Sequence, residues 1–411
     1  MVRPQMSNLD ERDSPLPLTS IVELAGTPVF VYRADVVERQ LNTLRSAFSN
    51  APVRIMYACK ALSNRAILQL MKSLGTGLDT VSMQEVELGL RAGFDPSQIL
   101  FTPSMISFDE LSAAAKLGIQ INIDTISVLE RFGTTFGGSI PVCIRINPHI
   151  MAGGNERIST GHIDSKFGIS IHQIRHVLRV VSSHGMTING LHMHTGSDIL
   201  DADVFLQGAE LLFEIAESFP DLTFLDFGSG FKVAYKPDDI ATDVFDLGTK
   251  LCRRLAEFNA TRQQPVELWI EPGKFLVSES GTFLTRVNVV KQTTSTVFAG
   301  VDSGFNHLIR PMLYGAYHHI TNLSNPDGVQ RVYSVVGYIC ETDTFAWDRK
   351  IAEIREGDIL AFANAGAYGF TMASNYNGRL RPAEVLINQD GTPRLIRRRE
   401  TLEDLCRTEI E

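Results

Sequence analysis

At 411 residues with 44% hydrophobic content, the chain is long enough for two domains, or for one barrel plus a second module. A net charge of −9 disfavours nonspecific binding to nucleic acid. No run of about 18 apolar residues occurs, so no transmembrane span is expected.

The cysteines, Cys59, Cys143, Cys252, Cys340 and Cys406, are scattered without paired spacing. That argues against a disulfide framework and a metal site of zinc type, and for a reducing, cytoplasmic compartment. Residues 1–20 carry prolines with Asp10, Glu11 and Asp13 but no apolar core. They read as a flexible arm rather than a secretory signal. The basic run Arg397-Arg398-Arg399, with acidic residues just after it, reads as a solvated face or an interface.

In chain order, Thr27 to Tyr32 reads as a strand. Ala34 to Phe48 reads as a helix, with Val36, Val37, Leu41 and Leu44 repeating near 3.6. Short apolar runs then recur at about 53–57, 77–81, 98–101, 119–123, 140–146, 187–193, 222–227 and 266–270. Amphipathic stretches of helical length separate them, at 64–74, 83–92, 108–117, 127–132, 171–184, 204–219 and 243–259. With the helix at 34–48, this alternation predicts an α/β fold: a closed parallel (β/α)8 barrel over 34–280. After Gly281 the runs at 283–291, 296–301, 331–339, 358–363, 383–388 and 393–398 are strand-like and separated by turn residues. They predict a mostly antiparallel β domain made of 281–411 together with 21–33.

Catalytic groups of such a barrel lie at the C-terminal ends of its strands. Lys60 follows the first strand at once, inside Tyr57-Ala58-Cys59-Lys60-Ala61, and is a candidate Schiff-base nucleophile. Asp79 ends the second strand, and Arg145 and Asn147 the fifth. The sixth ends in His192-Met193-His194-Thr195-Gly196-Ser197. Of its two histidines, His194 is taken to face the barrel mouth. His192 is expected to be packed or at the surface, and the spacing offers neither a set of neighbouring metal ligands. The seventh strand leads into Gly228-Ser229-Gly230, whose glycines let backbone N–H groups approach a phosphate, with Ser197 as an added donor.

The eighth strand leads into Glu271-Pro272-Gly273-Lys274. A lysine, a phosphate cradle and a carboxylate for a ring nitrogen are what pyridoxal 5'-phosphate requires. In the β domain, Arg310-Pro311-Met312-Leu313-Tyr314 offers a cation and a phenol. Cys340-Glu341-Thr342-Asp343 offers a thiol and carboxylates, and Gly366-Ala367-Tyr368-Gly369 an aromatic hydroxyl.

With these motifs in this order, from about Thr27 to Asn388, the chain resembles the fold-type III pyridoxal-phosphate decarboxylases, whose barrel alanine racemases share. Its nearest likeness is to their diaminopimelate-specific branch. The resemblance implies that Lys60 carries the cofactor as an imine and that His194 stacks on its ring. It places Asp79, Ser197, Gly228, Gly230, Gly273 and Lys274 around the cofactor, and pairs Glu271 with the ring nitrogen. It makes Arg310, Tyr314, Glu341 and Tyr368 substrate-binding, together with Lys274, and makes Cys340 the proton donor. Tyr368 is implied to lie near the cofactor as well. Cys340 and Glu341 are implied to reach the site of a partner subunit, in a homodimer. The implied reaction takes meso-2,6-diaminopimelate to L-lysine and carbon dioxide. Decarboxylation of ornithine, arginine or carboxynorspermidine stays open as an alternative, as does a regulator that binds the cofactor without turnover. One departure stands out: Lys274 occupies a position where the family usually has arginine, which keeps the charge and loses the bidentate fork.

Overall fold

In the computed structural model the described residues are 17–150, 165–200 and 202–410. They fall into two compact units. The first holds Leu41–Val233 and Ile240–Phe275; the second holds the residues up to Gln40, Ala234–Asp239 and Leu276 onward.

The strands are β1 (Val29–Arg33), β2 (Val53–Ala58), β3 (Gly77–Thr80), β4 (Ile99–Phe101), β5 (Gln120–Ile123), β6 (Val142–Asn147), β7 (Ile169–Ser170), β8 (Ile188–Met193), β9 (Phe224–Asp226) and β10 (Glu267–Ile270). In the first unit the order runs β5-β4-β3-β2-β10-β9-β8-β6, and β5 pairs again with β6. All these pairings are parallel, so the sheet closes into an eight-stranded barrel, as the alternation predicts. The short β7 adds to β6 outside this ring.

Polar residues start the intervening helices where strand and loop end. Asn64 accepts from Ala66 N–H ahead of the helix Arg65–Ser73, Ser82 from Glu85 N–H ahead of Met83–Ala92, and Ser107 from Glu110 N–H ahead of Phe108–Lys116. Each bond satisfies a donor the helix itself leaves open, worth about 1 kcal/mol. The short turns this allows keep each strand's C-terminal end and its polar residue at the rim.

Met56, Leu100, Cys143 and Phe224 come from alternate strands of the ring and pack with Trp269 as one buried cluster. Residues so placed meet only inside the barrel. Phe224 and Trp269 stack with centroids 3.8 Å apart. Gly190 makes room for them: a Cβ there would lie 2.1 Å from the Phe224 ring. Side chains of this size contribute about 1.5–3 kcal/mol each when buried. They plug the interior, which leaves the polar strand ends above as the accessible layer.

In the second unit, β11 (Gly281–Gln292), β12 (Val297–Val301), β13 (Ile320–Asn322), β14 (Gln330–Val336), β15 (Thr344–Ala352), β16 (Ile359–Phe362), β17 (Ala383–Ile387) and β18 (Pro393–Arg397) form one sheet with β1. β1 lies between β11, antiparallel to it, and β17, parallel to it. The other pairings are antiparallel apart from β12 with β14. One expectation is corrected here. The arm foreseen for 1–20 lies outside the described residues up to 16, but Leu18–Ala25 is a helix. Its Leu18, Ile21 and Val22 share one face and pack with Val29, Val31, Leu284 and Val385 in this unit's core.

Candidate active site

The barrel gathers charged groups at the C-terminal ends of its strands. Lys60 sits in the turn Cys59–Ala61 that follows β2, and the Tyr57 hydroxyl braces that turn by donating to Leu62 O at 3.0 Å. The Lys60 Nζ lies 3.6 Å from Asp79 Oδ2 at the end of β3. Asp79 is 1% exposed. Burial first, and then the negative Glu271, push its pKa up to about 6, against the pull of Lys60.

Glu271, just beyond β10, is buried, and His192 Nε2 lies 3.1 Å from its Oε2. Of the two placements expected for His192, packed or at the surface, the structure has it packed. Residues two apart in a strand share a face, so His192 points inward with the rim's other polar groups and is fully buried on Glu271. Burial, and then the positive Arg145, hold its pKa well below the ordinary histidine value. The imidazole is therefore neutral and donates its Nε2–H to the carboxylate. Glu271 also feels Lys60 and Arg145, whose charges oppose the upward push of burial. His192, Asp226 and Glu271 each bring one ligand atom within 4.8 Å of the others, a donor set able to hold a cation.

The loops after β8 and β9 are zipped together. Ile199 N–H donates to Gly230 O at 2.9 Å, and Ser229 N–H to His194 Nδ1 at 3.4 Å. Gly228 and Gly230 have φ of 62° and 116°, backbone conformations that side chains resist. A Cβ on Gly230 would lie 2.2 Å from Gly196 O, and one on Gly228 2.7 Å from His194 Nδ1. His194 is half-buried, and burial, followed by the positive Arg145 and Lys60, depresses its pKa. Ser197 is half-buried in the same loop. Gly273 packs against Ala58 and Ala61, beside the Lys60 turn. Lys274 pairs with Asp198. The barrel thus brings together Lys60, Asp79, His194, Gly228, Gly230, Glu271, Gly273 and Lys274.

The remaining expected residues lie in the second unit. Arg310 is buried, with Nη1 donating to the Tyr235 hydroxyl at 3.0 Å and Cζ 4.8 Å from that ring's centroid. Cys340 and Glu341 are exposed. Asn377 Nδ2 donates to Cys340 Sγ at 3.3 Å, and the Tyr376 hydroxyl donates to Glu341. Tyr314 ends the short helix Arg310–Tyr314, and Tyr368 has a positive φ of 56° in a tight loop. Among the described residues no hydrogen bond joins either tyrosine to Arg310 or Glu341.

Reading the sequence misses Asp198, Asp226, Tyr235, Tyr376 and Asn377 as partners of these groups. Only Asp226 carried a signal, as the acidic end of the seventh strand.

A family model described as "Pyridoxal-dependent decarboxylase, pyridoxal binding domain" matches residues 34–278. The diaminopimelate decarboxylase of Methanothermobacter thermautotrophicus is 39% identical, over 94% of this chain and 93% of its own length. That of Haemophilus influenzae is 35% identical over 95% of each. A crystal structure of diaminopimelate decarboxylase from Helicobacter pylori complexed with L-lysine superposes with a TM-score of 0.87 at 32% identity, covering 95% of this chain and 99% of that one. With this family match and these near full-length relatives, the chain belongs to the pyridoxal-dependent decarboxylases.

Proposed function

We propose that the chain decarboxylates meso-2,6-diaminopimelate to L-lysine and carbon dioxide with pyridoxal 5'-phosphate, the last step of lysine biosynthesis. The observation that carries the reading is an amine and a buried, histidine-held carboxylate, Lys60 and Glu271, on one barrel rim beside a glycine loop.

The residues present fit the cofactor. Around Gly228 and Gly230 a Cβ would strike neighbouring backbone or ring atoms, so the loop is open to phosphate only because both are glycine. Glu271 has about four acceptor sites, and among the described residues His192 is its one N–H donor, which leaves room for a ring N–H. When bound, the cofactor supplies a sink for the electron pair left as carbon dioxide departs.

The chain's own residues divide the remaining work. Asp79 holds the Lys60 amine in place. Glu271 holds a proton on the ring nitrogen, and His192 keeps Glu271 anionic and oriented. His194 is the neutral imidazole assigned to the ring face. Ser197, Gly228, Gly230 and Gly273 are assigned to the phosphate end. Lys274 is assigned to the cofactor's surroundings and the substrate carboxylate. Arg310 and Glu341 supply the cation and anion that an amino-acid group at the substrate's far end requires, and Tyr314 and Tyr368 complete that set. The Cys340 thiol delivers the proton to carbon. In this reading Cys340 and Glu341 serve the partner's site in a homodimer, and the protein works in the cytoplasm. The (β/α)8 unit is the cofactor domain, and the β-rich unit the substrate-recognition domain.

The test is a substrate panel with product identification. Purified protein with pyridoxal 5'-phosphate is offered meso-diaminopimelate, ornithine, arginine and carboxynorspermidine. Lysine formed from meso-diaminopimelate is expected. Turnover of another member with no lysine formed would overturn the assignment.

A further inference from the structure

Arg310 is 8% exposed, yet among the described residues no carboxylate pairs with its guanidinium. A buried cation without an anion is costly unless neutral dipoles hold it. What holds this one is Tyr235. Arg310 Nη1 donates to the Tyr235 hydroxyl at 3.0 Å, and Cζ lies over the ring, 4.8 Å from its centroid. One side chain thus supplies both an acceptor and an aromatic face. Tyr235 is itself fixed. Its hydroxyl shares a second hydrogen bond with Ser278 Oγ at 3.1 Å, and its ring meets the buried His318 edge to face, with centroids 5.8 Å apart. Its backbone N–H donates to Asp239 Oδ2 at 3.1 Å, and Asn364 Nδ2 donates to the Ala234 carbonyl just before it at 3.0 Å. All these residues belong to the β-rich unit.

We propose that Tyr235 is a positioning residue for substrate recognition: it holds the Arg310 guanidinium in place without neutralising it, and so keeps that cation for the carboxylate at the substrate's far end. Tyr235 acts through Arg310 and touches no reacting atom. This role rests on the assignment of Arg310 to that carboxylate.

A phenol suits this task because it accepts an N–H and brings no formal charge. Lys274 shows the other arrangement: it has Asp198 as a resident anion, with which an incoming carboxylate must compete. His318 adds no charge beside Tyr235 either. Burial first, and then the positive Arg310, lower its pKa to about 3, so the ring is neutral at neutral pH. Arg310 has five N–H donors and, among the described residues, spends one of them, on Tyr235. The others remain for a carboxylate, which a guanidinium can take two bonds at a time. A long side chain already held in one position also loses little freedom when its ligand arrives.

The test uses the full chain loaded with pyridoxal 5'-phosphate and two probes, L-lysine and 1,5-diaminopentane, which differ only in the carboxylate. Calorimetry gives their dissociation constants for wild type, Tyr235→Phe and Arg310→Gln. Tyr235→Phe keeps the ring and loses the acceptor. It should weaken L-lysine binding about three- to tenfold, the scale of ordering one long side chain on binding, and leave 1,5-diaminopentane within about twofold of wild type. Arg310→Gln should weaken L-lysine at least about tenfold with the same selectivity. Equal weakening of both probes in Tyr235→Phe would overturn the proposal, since a general loss of structure acts that way. A silent Tyr235→Phe beside a selective Arg310→Gln would overturn the role of Tyr235 and leave the assignment of Arg310 standing. If Arg310→Gln leaves L-lysine binding unmoved, that assignment falls and the role of Tyr235 falls with it.

Discussion

Lys274 donates to Asp198, joining the end of the eighth barrel strand to the loop after the sixth. The Lys274 side chain is 11% exposed, and Asp198 sits at a positive φ of 61°. A cation assigned to an incoming carboxylate thus already holds a resident one. Asp198→Asn should free it and lower KM for meso-diaminopimelate by roughly three- to tenfold, about 1 kcal/mol. Lys274→Ala should raise KM at least about tenfold. Steady-state kinetics on both variants checks the opposite signs. If both raise KM, Asp198 orients Lys274 instead of competing for it.

Lys60→Ala should abolish the absorbance of covalently bound pyridoxal 5'-phosphate and cut kcat by at least about a thousandfold. The Asp79 carboxylate would then lose its partner 3.6 Å away and take up a proton. A variant that keeps both the absorbance and the rate would remove Lys60 from the chemistry.

Cys340 and Glu341 are held by Tyr376 and Asn377 rather than by each other alone. Cys340→Ala should lower kcat by roughly ten- to a hundredfold, the scale of one acid–base group. Tyr376→Phe frees the Glu341 carboxylate and should act mainly on KM. Full kinetics with meso-diaminopimelate separates the two effects, and an unchanged rate in Cys340→Ala would exclude it as the proton donor.

In the β-rich unit, Glu384 is fully buried, accepts from the Tyr32 hydroxyl at 2.8 Å and pairs with Arg397. Glu384→Ala removes the carboxylate that both groups bond and should cost about 1–3 kcal/mol, the scale of a lost buried hydrogen-bond acceptor. Urea unfolding followed by circular dichroism reads the loss. A change below about 0.5 kcal/mol would mean the pair adds nothing to stability.

His318 is buried, with Nδ1 donating to Ala363 O at 2.8 Å. Burial first, and then the positive Arg310, lower its pKa to about 3. The unfolded chain binds this proton near pH 6.5 and the folded chain near 3. Stability from the neutral ring is therefore complete above about pH 6.5 and is lost as pH falls toward 3, by about 1.4 kcal/mol per pH unit. His318→Gln should flatten the fall in stability between pH 6 and pH 4, measured by denaturant unfolding across that range.

The sequence by itself determined the barrel and the rim positions, because both rest on short-range periodicity. Apolar runs of strand length alternating with amphipathic stretches place Lys60, Asp79 and Glu271 at strand ends, where they are found. Local patterning was weaker where exposure breaks it. Thr344–Ala352 is a nine-residue strand that the pattern did not announce, since Trp347 and Asp348 are exposed in it and Asp348 has a positive φ.

The partners were decided by tertiary structure alone. His192 meets Glu271 across 79 residues of chain, Lys274 meets Asp198 across 76, and Arg310 meets Tyr235 across 75. No spacing rule reaches that far. Strand order and loop closure bring such groups together, and for His192 burial then holds the ring pKa well below its ordinary value.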